Sequence, residues 1–285
     1  MAEAADLTLR FLRLHPGPAA GVLESLQPEE AAAFLQDVPT RLAAPVWSAM
    51  LPFHAGRCLM RCPEDYAVAL IAAMAATPAA GLLRALPEHR TQSLLQRLPG
   101  RVTFALKLLL RYPVGTVGAW MEPAVASLPS GLTVLEAWTR LRRDAEALDR
   151  FLYIVDRDQR LMGRVSTAEL LRAEGEMPVD RFLAAVPATL AARADLSAAA
   201  VEPAWRECDP LPVVARDGRF LGVAHYAVIH HAERAARDGE AAPMPGSTLL
   251  ELVEAYWGGL ARLIEAPFQL LSAGAPSRNR GEKRP

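Results

Sequence analysis

Phe151-Leu152-Tyr153-Ile154-Val155-Asp156, followed by Arg157-Asp158-Gln159 and Arg160-Leu161-Met162-Gly163-Arg164-Val165, has a second version about sixty residues on: Leu211-Pro212-Val213-Val214, Arg216-Asp217-Gly218 and Arg219-Phe220-Leu221-Gly222-Val223. Each version reads as a β-branched strand, a polar turn and a second strand ending in glycine, then a helix. Asp217-Gly218 is a strong hairpin signal, because glycine takes the positive φ of a tight turn at no steric cost. Helical runs precede each hairpin, Thr133 to Arg142 and Leu196 to Arg206, and others follow, Thr167 to Arg172 and Tyr226 to Arg237. Helix–strand–strand–helix, twice, predicts a duplicated α/β unit rather than a solenoid repeat.

The duplication resembles a tandem CBS pair, or Bateman module. That resemblance implies two copies packed sheet to sheet, with clefts between them that commonly bind adenosine nucleotides or metal ions. CBS modules that bind nucleotides carry a Gly-x-x-(Ser/Thr)-x-x-Asp pattern. Its carboxylate accepts hydrogen bonds from the ribose hydroxyls, and its hydroxyl residue meets the phosphate. The first copy reads Gly163-Arg164-Val165-Ser166-Thr167-Ala168-Glu169, with glutamate in place of aspartate. Ser166 and Glu169 take the two roles, and Arg164 adds positive charge for phosphate. The same residues also spell a capping box, Ser166 as the N-cap with Glu169 three residues on, and both readings stand at this stage. The second copy, Gly222-Val223-Ala224-His225-Tyr226-Ala227-Val228, has no carboxylate at the matching place.

Upstream, prolines recur roughly every dozen residues: Pro16, Pro28, Pro39, Pro52, Pro63, Pro78, Pro87 and Pro99. Proline is tolerated at the first helical position, where its missing N–H would be unbonded anyway. Several are followed by acidic residues, Glu29-Glu30 and Glu64-Asp65 among them, which suit the positive end of a helix dipole. Each proline therefore predicts the start of a helix of two to three turns. Such helices are marginal alone and gain stability by stacking apolar faces, here Val22, Leu23 and Leu26, then Leu82, Leu83 and Leu86, then Leu94, Leu95 and Leu98. The expected fold is mixed: an all-α, short-helix superhelical domain over residues 5–111, an α/β tandem CBS module over 112–237, and a linker, amphipathic helix and disordered basic tail over 238–285.

Tyr112-Pro113-Val114-Gly115-Thr116-Val117-Gly118-Ala119-Trp120-Met121 joins the two parts. It is similar to the Tyr-Pro-x-x-(Ser/Thr)-x-Gly-x-x-Met junction of MgtE-type magnesium transporters, whose cytosolic region is a superhelical N domain followed by two CBS modules. The resemblance covers about residues 10–237 in order and spacing. It implies a pore-forming membrane domain after the CBS pair, and the chain shows no spanning segment of ~20 apolar residues. It also implies magnesium sensing by carboxylates that face each other between the two parts, as a hard cation requires. At the corresponding places this chain reads Thr77-Pro78-Ala79-Ala80-Gly81-Leu82 and His225-Tyr226-Ala227-Val228, without carboxylates. The expectation is that most magnesium sensing is lost, and the metal ligands, if any, are unassigned.

Other clusters carry weaker signals. His225, His230 and His231 lie near Glu233, but no two histidines sit four apart on a helix face as zinc helices require; solvated helix residues explain them. Cys58 and Cys62 read as small buried hydrophobes. Leu249, Leu252, Val253, Tyr256, Leu260, Leu263 and Ile264 form an apolar stripe at helical spacing. Four readings of that stripe stand: docking on a membrane-protein partner, docking on a dimer mate, lying in the lipid interface, or packing on its own CBS pair. No nucleophile elbow, zinc-protease helix or phosphate-binding glycine loop is present, so the chain is read as no enzyme.

The whole composition agrees. The chain is 52% hydrophobic and 22% charged with a formal net charge of -1, which supports a packed interior and gives no global field for nucleic acid. Three cysteines cannot complete a disulfide framework, which points to a cytoplasmic setting. The functional expectation is a regulatory or scaffold protein, homodimeric through its CBS modules, that senses an adenosine nucleotide or residual Mg2+. Two alternatives stand beside it: an accessory subunit of magnesium transport with a separately encoded pore, and a ligand-free adaptor.

Overall fold

A computed structural model describes residues 2–123, 125, 127–142 and 150–238. The predicted C-terminal amphipathic helix and basic tail lie outside the described residues.

Among the described residues, the first part is a run of nine short helices: α1 (Ala2–Leu14), α2 (Pro16–Glu24), α3 (Pro28–Gln36), α4 (Thr40–Ala49), α5 (Pro52–Leu59), α6 (Glu64–Ala73), α7 (Ala76–Arg84), α8 (Glu88–Arg97) and α9 (Gly100–Leu110). The proline signal works, with a shift of register. Pro16, Pro28 and Pro52 occupy the first helical position. Pro39, Pro63, Pro87 and Pro99 sit one place earlier, as N-caps. The N-cap is extended rather than helical, and a proline φ near −65° satisfies it equally well. Pro78 departs further and lies inside the first turn of α7. None of α2 to α9 has a side-chain cap, so proline and the first-turn carboxylates of α3, α6 and α8 mark these starts.

The helices stack in two rows. Helix α2 packs on α4, α4 on α6 and α6 on α8, while α3 packs on α5, α5 on α7 and α7 on α9. Skipping one helix at each step is how a solenoid buries a face that no single short helix can bury alone. Of the expected faces, Leu82, Leu83, Leu86, Leu94 and Leu98 are buried, with Leu95 partly so. Val22 and Leu26 are exposed. Helix α2 turns Ala19, Ala20 and Leu23 inward instead, and Val22 falls off that stripe. A polar tie joins the rows, where the Tyr66 hydroxyl of α6 donates to Leu35 O of α3 at 2.7 Å; within one row, Arg84 of α7 donates to Leu109 O at 2.9 Å and Tyr112 O at 3.4 Å at the end of α9. Leu109 O already accepts from Tyr112 N–H at 3.1 Å, so Arg84 adds a second bond to the closing turn of α9.

The second part holds two three-stranded sheets of identical topology. β1 (Ser127–Pro129) runs parallel to β2 (Phe151–Val155), which is antiparallel to β3 (Leu161–Ser166). β4 (Leu190–Ala191), β5 (Leu211–Val214) and β6 (Phe220–Ala224) repeat that order. Even the irregularity repeats, with a register shift at Ile154/Val155 in one copy and Val213/Val214 in the other. The short parallel strand that opens each copy was not expected. Helix α10 (Val134–Leu141) carries a complete capping box from Thr133 and Glu136. The run predicted over Leu196 to Arg206 breaks into α12 (Leu196–Ala200) and a 3-10 turn, Pro203–Arg206, because Pro203 cannot continue the helix. Helices α11 (Thr167–Arg172) and α13 (Tyr226–Asp238) close the two copies.

The cores divide against sequence order. The first copy has its own cluster, built on Leu128, Val134, Leu152, Ile154, Val165 and Leu170. The second copy shares one continuous cluster with the helical array, in which Leu106, Leu109, Val117 and Met121 join Leu190, Leu196, Leu211, Val213 and Ile229.

Candidate ligand cleft and the joint between the two parts

The junction segment explains that shared core. Val117 N–H donates to Ala194 O at 3.0 Å, Gly118 N–H to Ala192 O at 2.8 Å, and Leu196 N–H to Gly115 O at 3.1 Å. A Cβ on Gly118 would lie 2.5 Å from the Tyr112 ring and 2.8 Å from Ala192 O, so only glycine lets the chain close on the second copy here. On the array side, the Thr77 hydroxyl donates to Met121 O at 3.1 Å. The Thr77-Pro78 stretch, where the resemblance implies carboxylates, thus faces the junction backbone.

The glycine shared by the two hairpins has the same task in both. Glu122 N–H donates to Val223 O at 2.7 Å and Val223 N–H to Glu122 O at 3.0 Å. Ala184 and Arg164 exchange the matching pair, both at 2.9 Å. The segment leading into each copy therefore adds one rung to the last strand of the other copy. A Cβ on Gly222 would sit 2.2 Å from Glu122 O, and one on Gly163 would sit 2.6 Å from Ala184 O. The copies also meet hairpin to hairpin: Phe220 N–H donates to Gln159 O at 2.8 Å and Leu161 N–H to Gly218 O at 3.2 Å. Tyr153 stacks on Phe220 with ring centres 4.9 Å apart, and its buried hydroxyl donates to Pro210 O at 3.3 Å.

Of the predicted site residues, Arg164 is the one that reaches between the copies. Its guanidinium carbon lies 4.2 Å from the centre of the Phe151 ring, and Nη1 is 2.5 Å from Cys208 Sγ, in the second copy. Ser166 ends β3 opposite Phe151 and occupies the N-cap of α11, but its side chain makes no capping hydrogen bond. The capping box expected there is therefore not formed. Glu169 stands exposed in the first turn of the same helix. Arg164, Ser166 and Glu169 lie along the end of β3 and the start of α11, with the aromatic face of Phe151 beside them.

The second copy gathers carboxylates from elsewhere. His225 Nε2 is 3.2 Å from Glu122 Oε2, and its Nδ1 is 3.6 Å from Asp209 Oδ1. Asp209 Oδ1 also accepts from Tyr226 N–H at 3.2 Å, at the start of α13. The hydrogen bond from His225 holds the Glu122 carboxyl below its ordinary range. Sequence reading missed Glu122 and Asp209; Glu122 is 103 residues from its partner. Further along α13, His230 packs on Tyr226 with ring centres 5.4 Å apart. Burial lowers His231, helped by the charge of Arg234. Among the described residues, no group of three His, Cys, Asp or Glu side chains is placed to hold a metal ion. Cys58 and Cys62 are buried, and burial pushes their thiols up to about 11 and about 12.

Comparison with known proteins agrees with this architecture. Residues 14–115 match the MgtE intracellular N domain, and residues 114–176 match the CBS domain. The chain is 31% identical over 137 residues to the magnesium transporter MgtE of Thermus thermophilus; the match covers 46% of this chain and 30% of that protein. Its fold is similar to the crystal structure of the cytosolic domain of the Mg2+ channel MgtE in complex with ATP. There the TM-score is 0.69 at 25% identity, over 79% of this chain and 92% of that one. The crystal structure of the soluble part of a magnesium transporter shares the fold at a TM-score of 0.57 and 20% identity, over 84% of this chain and 98% of that one. The chain thus carries an MgtE-type helical N domain followed by a CBS-type α/β module with two mixed sheets. Among the described residues, no helix is long and apolar enough to cross a membrane.

Proposed function

We propose that this chain is a regulatory module of the magnesium-transport type that responds to an adenosine nucleotide in the cleft bordered by Arg164, Ser166 and Glu169. The observation that supports this most is the reach of Arg164, held on Phe151 of its own copy and on the Cys208 sulfur of the other. A phosphate that draws the guanidinium off the sulfur replaces a weak contact with a charge-assisted, bidentate one. That exchange alters how the copies meet. The second copy shares its core with the helical array, so the array feels the change. ATP in the related MgtE cytosolic domain supports a nucleotide as the ligand. Glu169 serves the ribose hydroxyls and the uncapped Ser166 hydroxyl serves phosphate. The module works in the cytoplasm as a homodimer through its CBS pair and performs no catalysis. It passes its state to a membrane-protein partner through the apolar stripe from Leu249 to Ile264.

A thermal-shift screen of the full chain with ATP, ADP and AMP, each with and without Mg2+, tests the reading. A ligand at a hundredfold excess over its dissociation constant stabilises the native state by ~2.7 kcal/mol. At least one adenine nucleotide should raise the midpoint in the wild type and lose that effect in Arg164→Ala. If none does, the adaptor reading takes its place; if Mg2+ alone does, the chain senses divalent cations instead.

A further inference from the structure

A groove of about 510 Å³ lies on the second copy where α9 ends, and none of Arg164, Ser166 and Glu169 lines it. Three separate stretches of chain build its wall. Arg111 and Tyr112 come from the end of α9, Arg193 from the connection between β4 and α12, and Arg216, Asp217 and Arg219 from the β5–β6 turn. Four guanidinium groups therefore face one carboxylate, in a chain whose overall charge is -1. Asp217 is already engaged, its Oδ2 accepting from Arg219 Nε at 2.7 Å. The remaining three arginines are not balanced by any acidic residue lining the groove.

The groove is built rather than incidental. Gly118 leaves room for the Tyr112 ring against the junction backbone, and the Arg193 guanidinium lies 5.8 Å from the centre of that ring. Ala192 N–H donates to Val214 O at 2.9 Å, and Gly218, at φ +82°, turns the hairpin that carries Arg216 and Arg219. Planar guanidinium forks match phosphate oxygens in pairs, and like charges gathered at one site repel until an anion enters. The alanines of β4 and its neighbours keep the floor shallow and apolar, and the volume falls in the range that holds a small molecule.

We propose that this groove binds a small molecule bearing two or more linked phosphates, and that the ligand clamps the end of the helical array to the second α/β copy. Tyr112 and the alanine floor take the apolar part of the ligand, and Arg111, Arg193 and Arg216 take its phosphates. The site is separate from the cleft at Arg164 and does not rest on it.

Inorganic tripolyphosphate tests the groove without an adenosine group. Isothermal titration into the full chain at constant ionic strength should give saturable binding with one site per chain. Arg193→Ala with Arg216→Ala should weaken it at least about tenfold. Arg164→Ala in the cleft and Arg41→Ala, an exposed α4 residue that does not line the groove, should leave it unchanged. Arg193 and Arg216 are both exposed, so the variants should keep the wild-type melting midpoint; Arg216→Ala alone provides a milder version of the same loss. Absence of saturable binding, or equal weakening by Arg41→Ala, overturns the proposal. Weakening by Arg164→Ala alone would move the phosphate site to the cleft and overturn it equally.

Discussion

Replacing Gly222 with alanine places a methyl group 2.2 Å from Glu122 O, and 2.9 Å from both Glu122 C and Pro123 Cα. All three neighbours are backbone atoms, so no side chain can rotate away. The junction must retreat by roughly 1 Å, which stretches the 2.7 and 3.0 Å bonds between Glu122 and Val223 beyond useful hydrogen-bond length. Two such bonds contribute about 1 kcal/mol each, and forced overpacking costs typically ~1–3 kcal/mol. Gly222→Ala is therefore expected to destabilise the joint by about 3–5 kcal/mol. Gly81→Ala supplies the opposite control: nothing lies within 4 Å of its added Cβ, it is inside α7, and relief of glycine entropy should stabilise by about 0.5–1 kcal/mol. Urea denaturation, read together with hydrogen exchange of peptides spanning residues 117–123 and 211–225, separates the joint from the rest. Faster exchange in both peptides with a lowered midpoint is the expected result. An unchanged midpoint with unchanged exchange refutes the claim that the junction is a rung on β6.

Three further outcomes are expected. Thr133→Ala removes the hydroxyl that accepts from Glu136 N–H in the α10 capping box and keeps the reciprocal bond from Thr133 N–H to Glu136 Oε2; it should cost about 1 kcal/mol, measured by denaturant midpoint. Cys58 and Cys62 have thiols raised in the folded state above the ordinary 9.0, to about 11 and about 12. Their contribution to stability is therefore complete below pH 9 and is lost as pH rises through that range; Cys58→Ala with Cys62→Ala should flatten the alkaline slope of the melting midpoint, and both thiols should resist a disulfide reagent until the chain unfolds. Glu122 is depressed below 4.5 by His225, so its contribution is present above pH 4.5 and is lost as pH falls through the folded value. Glu122→Gln should flatten that acid limb, read as melting midpoint against pH.

The hairpins were legible because each one carries its own signal: an apolar run, a polar turn and a glycine at matching places. The array was legible because proline marks each start, whether as first helical residue or as N-cap. What escaped the sequence was short or distant. β1 and β4 have three and two residues, too few for any period to show, and parallel pairing joins them to strands far along the chain. Gly163 and Gly222 were visible as paired letters, but their purpose was not, since it depends on Ala184 and Glu122 arriving from the opposite linkers. The site divides in the same way. Arg164, Ser166 and Glu169 could be found from one motif, whereas the Glu122–His225–Asp209 contact exists only once the linker pairs with the second copy, and the arginine groove only once that copy meets the end of α9.

Titration of ATP into the full chain with the groove removed by Arg193→Ala and Arg216→Ala, beside the same chain that also carries Arg164→Ala or Glu169→Ala, tests the cleft by itself. ATP should bind the groove-less chain, and either cleft substitution should abolish that binding. No heat with the groove-less chain, or heat that survives both Arg164→Ala and Glu169→Ala in it, would contradict the nucleotide reading.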